Sequence, residues 1–114
     1  MEAKNKYGST PLIRASIEGH LDTVKVLVEE GHANVEAKDN DGRTPLIWAS
    51  YKGHLTTVKY LVKEGHANVE AKDNDGRTPL IWASYKGHLT TVKYLVKEGH
   101  ANVEAKDNDG RTPL

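Results

Sequence analysis

The sequence predicts an α-rich repeat solenoid in which short helix pairs stack in a single array. Residues 42–75 and 76–109 are two identical copies of one 34-residue segment. Residues 8–41 carry the same segment with seven changes, and residues 110–114 repeat its first five residues. A period of this size is typical of stacked supersecondary units that contact only their neighbours. We call 8–41, 42–75 and 76–109 the first, second and third repeats.

Each repeat begins with a turn and a short helix. In the second repeat, the run Asp-Asn-Asp-Gly at 39–42 is a turn signal, because these residue types tolerate positive φ angles. Thr44 can cap free backbone N–H groups, and Pro45 suits the first position of a helix. The predicted helix covers 45–52 and ends before Gly53, as helices commonly do at glycine.

A second helix is predicted from residue 55 to residue 64. Its apolar residues recur at helical spacing and fall on one face: Leu55, Val58, Leu61 and Val62. Gly65 is expected to end this helix as Gly53 ends the first one, and 66–71 to return as an extended arm. Helices of about ten residues are not stable alone in water, so stacking must cover their apolar faces.

Composition excludes several classes of function. The 16 basic and 16 acidic residues balance, so no global signal for nucleic-acid binding exists. The first repeat is nevertheless acidic, with three basic and seven acidic residues, whereas the second and third repeats each have five basic and four acidic residues. There is no cysteine, no apolar run of membrane-spanning length and no hydrophobic leader. We expect a soluble protein, consistent with a cytoplasmic location or recombinant expression, that has no membrane partner.

The repeat resembles the ankyrin repeat. The matching stretches in the second repeat are GRTPL at 42–46, AS at 49–50, GHL at 53–55, Val58, LV at 61–62, Gly65, ANVEA at 67–71 and Asp73. Three residues depart from the family pattern. Ile47 stands where the family usually has histidine, and Thr57 stands where it prefers an aliphatic residue. His66 is an extra residue, which we expect a longer helix exit to absorb.

The resemblance implies one ankyrin-type array over 1–114. Helix pairs are expected at 10–31, 44–65 and 78–99, joined by β-hairpin connections at 32–43 and 66–77. Residues 1–9 form an N-terminal hairpin segment, and 100–114 form a C-terminal hairpin segment with a truncated fourth repeat.

The recurring histidines and carboxylates do not predict an active site. His54 and His66 recur once per repeat, and equivalent residues one repeat apart are separated by about 8–10 Å, whereas metal ligands lie about 2 Å from one ion. Asp73, Asp75 and the repeated glutamates are expected to be solvated surface residues. We therefore predict no enzyme activity, no metal and no cofactor.

Two tryptophans, Trp48 and Trp82, are expected to fill space between repeats, together with Tyr60. The first repeat has Arg14 at the tryptophan position and Glu18 at the position of Lys52, which favours its interpretation as a partly polar N-terminal cap. The alternative is that the tryptophans are exposed binding anchors.

The resemblance also implies where a partner binds, since ankyrin repeats bind through loop tips and the exposed side of the first helix. The positions in this chain are Asn40, Asp41, Arg43, Tyr51, Lys52, Asn74, Asp75, Arg77, Tyr85 and Lys86. Tyrosine and arginine are enriched in interface hot spots. The alternative is a solvated face without a selected partner.

Two functional hypotheses follow. The first is a non-catalytic protein–protein interaction scaffold, an engineered or excised array of identical repeats without a fixed ligand, whose protein partner is unidentified. The second is a structural protein that associates weakly head to tail. In that case the outer face of the third repeat should leave its apolar residues less covered than their equivalents in the second repeat: Leu80, Leu89, Val92 and Leu95.

Overall fold

The computed structural model describes residues 3–113 as three stacked helix pairs. Residues 1, 2 and 114, which belong to the predicted terminal segments, lie outside the described residues. The six helices are α1 (Pro11–Glu18), α2 (Leu21–Glu29), α3 (Pro45–Lys52), α4 (Leu55–Lys63), α5 (Pro79–Tyr85) and α6 (Leu89–Lys97). The helices α1, α3 and α5 pack on each other in that order, and α2, α4 and α6 form a second, looser row. The array measures 36 × 27 × 19 Å.

The first helix of each pair begins where the TPL motif predicts. The hydroxyl of Thr44 accepts a hydrogen bond from the backbone N–H of Ile47 at 3.2 Å, and Pro45 occupies the first helical position. Gly53 ends α3 with a φ of 74°, a left-handed conformation that glycine adopts without steric cost. The same threonine cap begins α1 and α5.

The second helix ends differently from the prediction. The left-handed residue after α4 is His66, with a φ of 54°, and not Gly65. The N–H of Gly65 bonds to the carbonyl of Tyr60, and the N–H of Ala67 bonds to the carbonyl of Leu61. A Cβ on Gly65 would lie 2.8 Å from the Leu61 carbonyl oxygen. Two residues therefore form the end of α4. Gly65 allows the backbone to pass close to the Leu61 carbonyl, and His66 takes the left-handed conformation that turns the chain.

The connections between helix pairs are turns, and the β-hairpin part of the predicted fold is not seen, since residues 3–113 contain no β-strand. In the loop before α3, the N–H of Asp39 bonds to the carbonyl of Arg43, which closes the turn. The N–H of Asn74 in the following loop bonds to the carbonyl of Asp41. These backbone groups therefore join one loop to the next and do not extend a ladder within a single hairpin.

The apolar core runs along the whole array between the two rows of helices. Leu80 and Leu95 are 1% and 0% exposed, the same as the equivalent Leu46 and Leu61, so the expectation that both would be less covered than their equivalents was wrong. Both belong to the continuous core cluster that the helix pairs share. Leu89 is 63% exposed and Val92 is half-buried, whereas the equivalent Val58 is fully buried. The outer face is therefore less covered at α6, and also at the end of α5, where Tyr85 is 71% exposed and the equivalent Tyr51 is half-buried.

Identical tyrosines in the second row of helices have different partners. The hydroxyl of Tyr60 donates a hydrogen bond to Glu29 at 2.7 Å. Burial, and then this glutamate, raise the pKa of Tyr60 to about 12. One repeat on, Lys63 replaces the glutamate, and the hydroxyl of Tyr94 is buried without a hydrogen-bond partner among the described residues. An unsatisfied buried polar group is destabilising.

We predict that Lys63→Glu stabilises the protein by about 1 kcal/mol, because the new carboxylate can accept the Tyr94 hydroxyl as Glu29 accepts that of Tyr60. The measurement is urea unfolding with an unchanged m value. Lys97→Glu is the matched control, since it makes the same change in the same helix sequence without a following tyrosine in the chain. Equal effects of the two substitutions would contradict the prediction.

A second buried polar group lies at the interface of the first two repeats. Thr57 is fully buried, and its hydroxyl has no hydrogen-bond partner among the described residues. Thr23, the equivalent residue in the first repeat, is exposed.

We predict that Thr57→Val raises the free energy of unfolding by about 1 kcal/mol, because it removes an unsatisfied hydroxyl at nearly constant volume. Thr23→Val should change it by less than about 0.5 kcal/mol. Thermal and urea unfolding of both variants measure the difference. A destabilised Thr57→Val variant would show that the hydroxyl has a partner in solution.

Candidate interaction surface

An aspartate organises each loop at the edge of the array. In the loop before α5, one oxygen of Asp73 (Oδ1) accepts the backbone N–H groups of Asp75 at 3.0 Å and Arg77 at 2.9 Å. Asp39 and Asp107 make the equivalent bonds in their own loops. The Asp73 side chain is fully buried, so its interpretation as a solvated surface residue was wrong. The carboxylate is instead the centre of the turn.

The second oxygen of each aspartate (Oδ2) joins the loop to neighbouring side chains. That of Asp73 accepts the indole N–H of Trp82 at 2.8 Å and the Nε–H of Arg43, from the preceding loop, at 3.2 Å. That of Asp39 accepts only the indole N–H of Trp48, because the first repeat has serine at the arginine position. Where the arginine is present, the carboxylate therefore also joins its loop to the preceding loop.

Four aromatic rings follow one another along the first row of helices: Trp48, Tyr51, Trp82 and Tyr85. We call them the aromatic ladder. Their successive ring centroids are 5.3, 4.7 and 5.8 Å apart. The guanidinium of Arg43 lies 4.8 Å from the centroids of both tryptophans, so it is held between them. Arg77 lies 4.7 Å from Trp82 in the same way. Such contacts combine cation–π attraction with the ion pair to aspartate.

The structure divides the predicted partner-binding residues into packed and exposed groups. The side chains of Arg43 and Arg77 are only 16% and 20% exposed, because the ladder and the aspartates hold them. Tyr85 is 71% exposed. Lys52 and Lys86 are exposed, and their ammonium groups lie 5.8 and 5.0 Å from the ring of half-buried Tyr51. These tyrosines and lysines lie together on the side of the first helices.

The loop-tip residues form a second exposed row. The side-chain amide of Asn74 donates to the backbone carbonyl of Asn40 at 3.0 Å, and that of Asn40 donates to the carbonyl of Lys6 at 3.2 Å. Each asparagine therefore fixes one loop to the previous loop. The side chains of Asp41 and Asp75 are exposed at the tips. The two rows together combine carboxylates at the tips with tyrosines and lysines on the helices.

Sequence reasoning missed the buried aspartates and the aromatic ladder. The signal is present as a fixed spacing, since arginine follows the aspartate by four residues and tryptophan follows it by nine in the second and third repeats. Trp82 is 5% exposed, as expected of a residue that fills space between repeats, whereas Trp48 is only half-buried. The first repeat offers Ile17 at the tyrosine position and therefore covers Trp48 less well.

The histidines after the first helices are part of the repeat interfaces. The Nε2 of His54 lies 3.0 Å from the carbonyl oxygen of Ile17, and that of His88 lies 2.9 Å from the carbonyl oxygen of Tyr51. A Cβ on Gly19 would lie 2.7 Å from the His54 ring, so a glycine is needed beneath it. Within residues 3–113, no three histidine, aspartate or glutamate side chains gather closely enough to hold a metal ion. None of the helices in this range could cross a membrane.

These features define a helical repeat protein that presents an elongated surface. A model of ankyrin repeats, present in three copies, matches residues 1–73 and 65–114. The chain therefore belongs to the ankyrin-repeat family, whose repeats generally mediate protein–protein interaction and are typically non-catalytic. No match to the chain was found among curated proteins.

We predict that Trp82→Ala costs about 3–5 kcal/mol of stability, the range for truncating a large buried side chain. It removes the packing of one indole against two arginines and two tyrosines. Trp48→Ala should cost clearly less, because Trp48 is half-buried and has one arginine neighbour. Urea unfolding followed by circular dichroism gives both values. Costs below about 0.5 kcal/mol for Trp82→Ala would instead indicate an exposed anchor.

Proposed function

We propose that this chain is a non-catalytic scaffold that binds a protein partner through the side of the array formed by the loop tips and the first helices. The observation that carries the proposal is the position of Tyr85, Lys52 and Lys86, which are exposed around the aromatic ladder. The ladder holds their helices in fixed positions, so that little order has to be gained on binding. Exposed tyrosine on a rigid support is typical of interface anchors.

The proposed surface favours a partner with an alternating charge pattern. Lys52 and Lys86 place positive charge on the helix side, one in each of two successive repeats, and Asp41 and Asp75 place negative charge at the tips. Because the two repeats are identical, the same groups recur at the spacing of the array. We propose that the array is engineered or excised and has no fixed ligand, since a surface selected for one irregular partner differs from repeat to repeat.

We predict that the double variant Lys52→Glu/Lys86→Glu weakens capture of partner proteins by about 10-fold or more, because reversed charges in an interface repel the original partner. The substitution gives both positions the glutamate that the first repeat has at the equivalent position, Glu18. The measurement is binding from a defined lysate to the immobilised chain, with bound proteins quantified by mass spectrometry.

The matched control is Lys63→Glu/Lys97→Glu, which makes the same charge change on the second row of helices. It gives both positions the glutamate that the first repeat has at the equivalent position, Glu29. It should leave capture unchanged. Circular dichroism must show that both variants are folded. If no captured protein distinguishes the two double variants, this surface does not bind a partner.

The second candidate function is end-to-end assembly, favoured by exposed apolar residues at both ends of the array. Leu89 is 63% exposed at α6, and Val26 is 53% exposed at α2. Contiguous apolar exposure commonly marks an association site. A contact between the two ends would be heterologous and would form an open filament if the rotation did not close. Light scattering distinguishes the candidates, since mass that grows with concentration and is suppressed by Leu89→Lys supports assembly.

A further inference from the structure

The groove between α2 and α4 shows how the second row of helices holds a carboxylate. The hydroxyl of Tyr60, on α4, donates a hydrogen bond at 2.7 Å to the Oε2 of Glu29, on α2. The ammonium group of Lys25 lies 6.0 Å from the centroid of the Tyr60 ring. Lys59 and Lys63 line the same groove, whose volume is about 390 Å³. The carboxylate therefore has one short hydrogen bond and three lysines on the walls around it.

The equivalent groove between α4 and α6 has the tyrosine but lacks the carboxylate at the position of Glu29. The ammonium group of Lys59 lies 5.9 Å from the centroid of the Tyr94 ring, so the lysine and the tyrosine repeat the geometry of the first groove. The residue equivalent to Glu29 is Lys63. The charged residues at the wall positions are four lysines and one glutamate, in place of three lysines and two glutamates: Lys59, Lys63, Lys93, Lys97 and Glu98.

The α4/α6 groove contains a buried hydrogen-bond donor that has no acceptor. Tyr94 is only 8% exposed, and its hydroxyl has no hydrogen-bond partner among the described residues. Burial, and then Glu98, raise the pKa of Tyr94, so the hydroxyl stays protonated at neutral pH. The ion pairs within residues 3–113 involve Arg43 and Arg77, so the four lysines have no carboxylate partner in this range. The groove therefore presents a donor and unpaired positive charge together.

We propose that the α4/α6 groove binds a small polycarboxylate, one carboxylate of which accepts the Tyr94 hydroxyl as Glu29 accepts that of Tyr60. The other carboxylates pair with lysines on the two walls. The volume of the α2/α4 groove, about 390 Å³, lies in the lower part of the range for small-molecule sites, about 300–1,000 Å³. Both walls of the α4/α6 groove belong to complete repeats, and the proposal does not depend on the scaffold function.

A carboxylate can reach this hydroxyl from the surface of the array. Glu29 is an exposed residue, yet its side chain contacts the hydroxyl of the buried Tyr60. Lys63, at the equivalent position, is also exposed, and lysine has a flexible four-carbon side chain. The lysine side chain can therefore turn outward and allow a ligand carboxylate to take the position that the glutamate takes in the first groove.

The test is isothermal titration calorimetry of the 114-residue chain with citrate at low ionic strength, because salt screens exposed lysines. Citrate should bind with a Kd on the order of 1 mM, since one charge-assisted hydrogen bond and a few exposed ion pairs each contribute little. Trimethyl citrate has the same carbon skeleton without the negative charges and should not bind. An affinity of this size is too weak to retain a protein on the immobilised chain, so Lys63→Glu/Lys97→Glu remains a valid control for the capture experiment.

Variants of the tyrosine and of the residue equivalent to Glu29 locate the binding. Tyr94→Phe keeps the ring, removes the donor and should weaken citrate binding by about 10-fold. Lys63→Glu places a carboxylate of the chain itself in the ligand position and should abolish binding. Tyr60→Phe is the matched control, because it makes the same change in the groove that Glu29 already occupies, and it should leave citrate binding unchanged.

A second pair of variants tests the role of charge. Lys59→Gln/Lys93→Gln removes one lysine from each wall and should weaken citrate binding by about 10-fold, since two of the four lysines are lost. Lys72→Gln/Lys106→Gln removes the same charge from exposed loop positions outside the groove. This control should change the affinity by less than about 2-fold, because distant exposed charges are screened.

Citrate binding that Tyr94→Phe leaves unchanged, or the absence of saturable binding to the unaltered chain, would overturn the proposal. A glutamate-rich peptide is titrated in parallel. If the peptide binds more tightly than citrate by about 10-fold or more, and Tyr94→Phe weakens it, the groove takes a protein segment and the assignment to a small ligand is wrong. The scaffold function is tested through Lys52 and Lys86, so neither result decides the other.

Discussion

The hydrogen bonds of the loop aspartates, buried at Asp73 and Asp107 and half-buried at Asp39, are the interactions on which the rest of the array depends. One oxygen of Asp73 closes its own turn by accepting two backbone N–H groups, and the other joins Trp82 of the following helix to Arg43 of the preceding loop. A buried carboxylate is stable only when its lone pairs are satisfied and an opposite charge is near. The same side chain therefore fixes the loop, the helix and the distance between repeats.

Because of this arrangement, the exposed side chains of the candidate surface depend on packed side chains that contact them. Arg43 and Arg77 have the residue type of binding hot spots, but most of each side chain lies within the aromatic ladder. In the proposed binding surface, their role is to hold Tyr51 and Tyr85 in place, since a rigid aromatic side chain loses little entropy when a partner binds. The surface is thus built from side chains whose first role is to join repeats.

Much of the fold could be predicted from the sequence because the same signals for helix starts and helix ends occur in each of the three repeats. The threonine caps, the proline starts and the apolar face of α4 all follow local rules, and the structure has them at Thr44, Pro45 and Val58. The end of α4 was not predictable in the same way, because the extra residue moves the left-handed conformation from glycine to His66. The buried Asp73 was also missed, since its burial depends on partners 30 residues before it and nine residues after it.

Identical residues at equivalent positions of the repeats do not have identical surroundings in this chain, because the residues that pack against them from neighbouring repeats differ. Tyr60 and Tyr94 occupy the same position, yet one hydroxyl donates to Glu29 and the other is buried without a partner among the described residues. Asp73 and Asp107 lie in identical loops, yet only the first accepts an indole. Because a repeat array is held together by nearest-neighbour contacts, the chemistry of each repeat is completed by the one beside it. Equivalent residues therefore differ in burial and in hydrogen-bond partners because the side chains that the adjacent repeat presents to them differ.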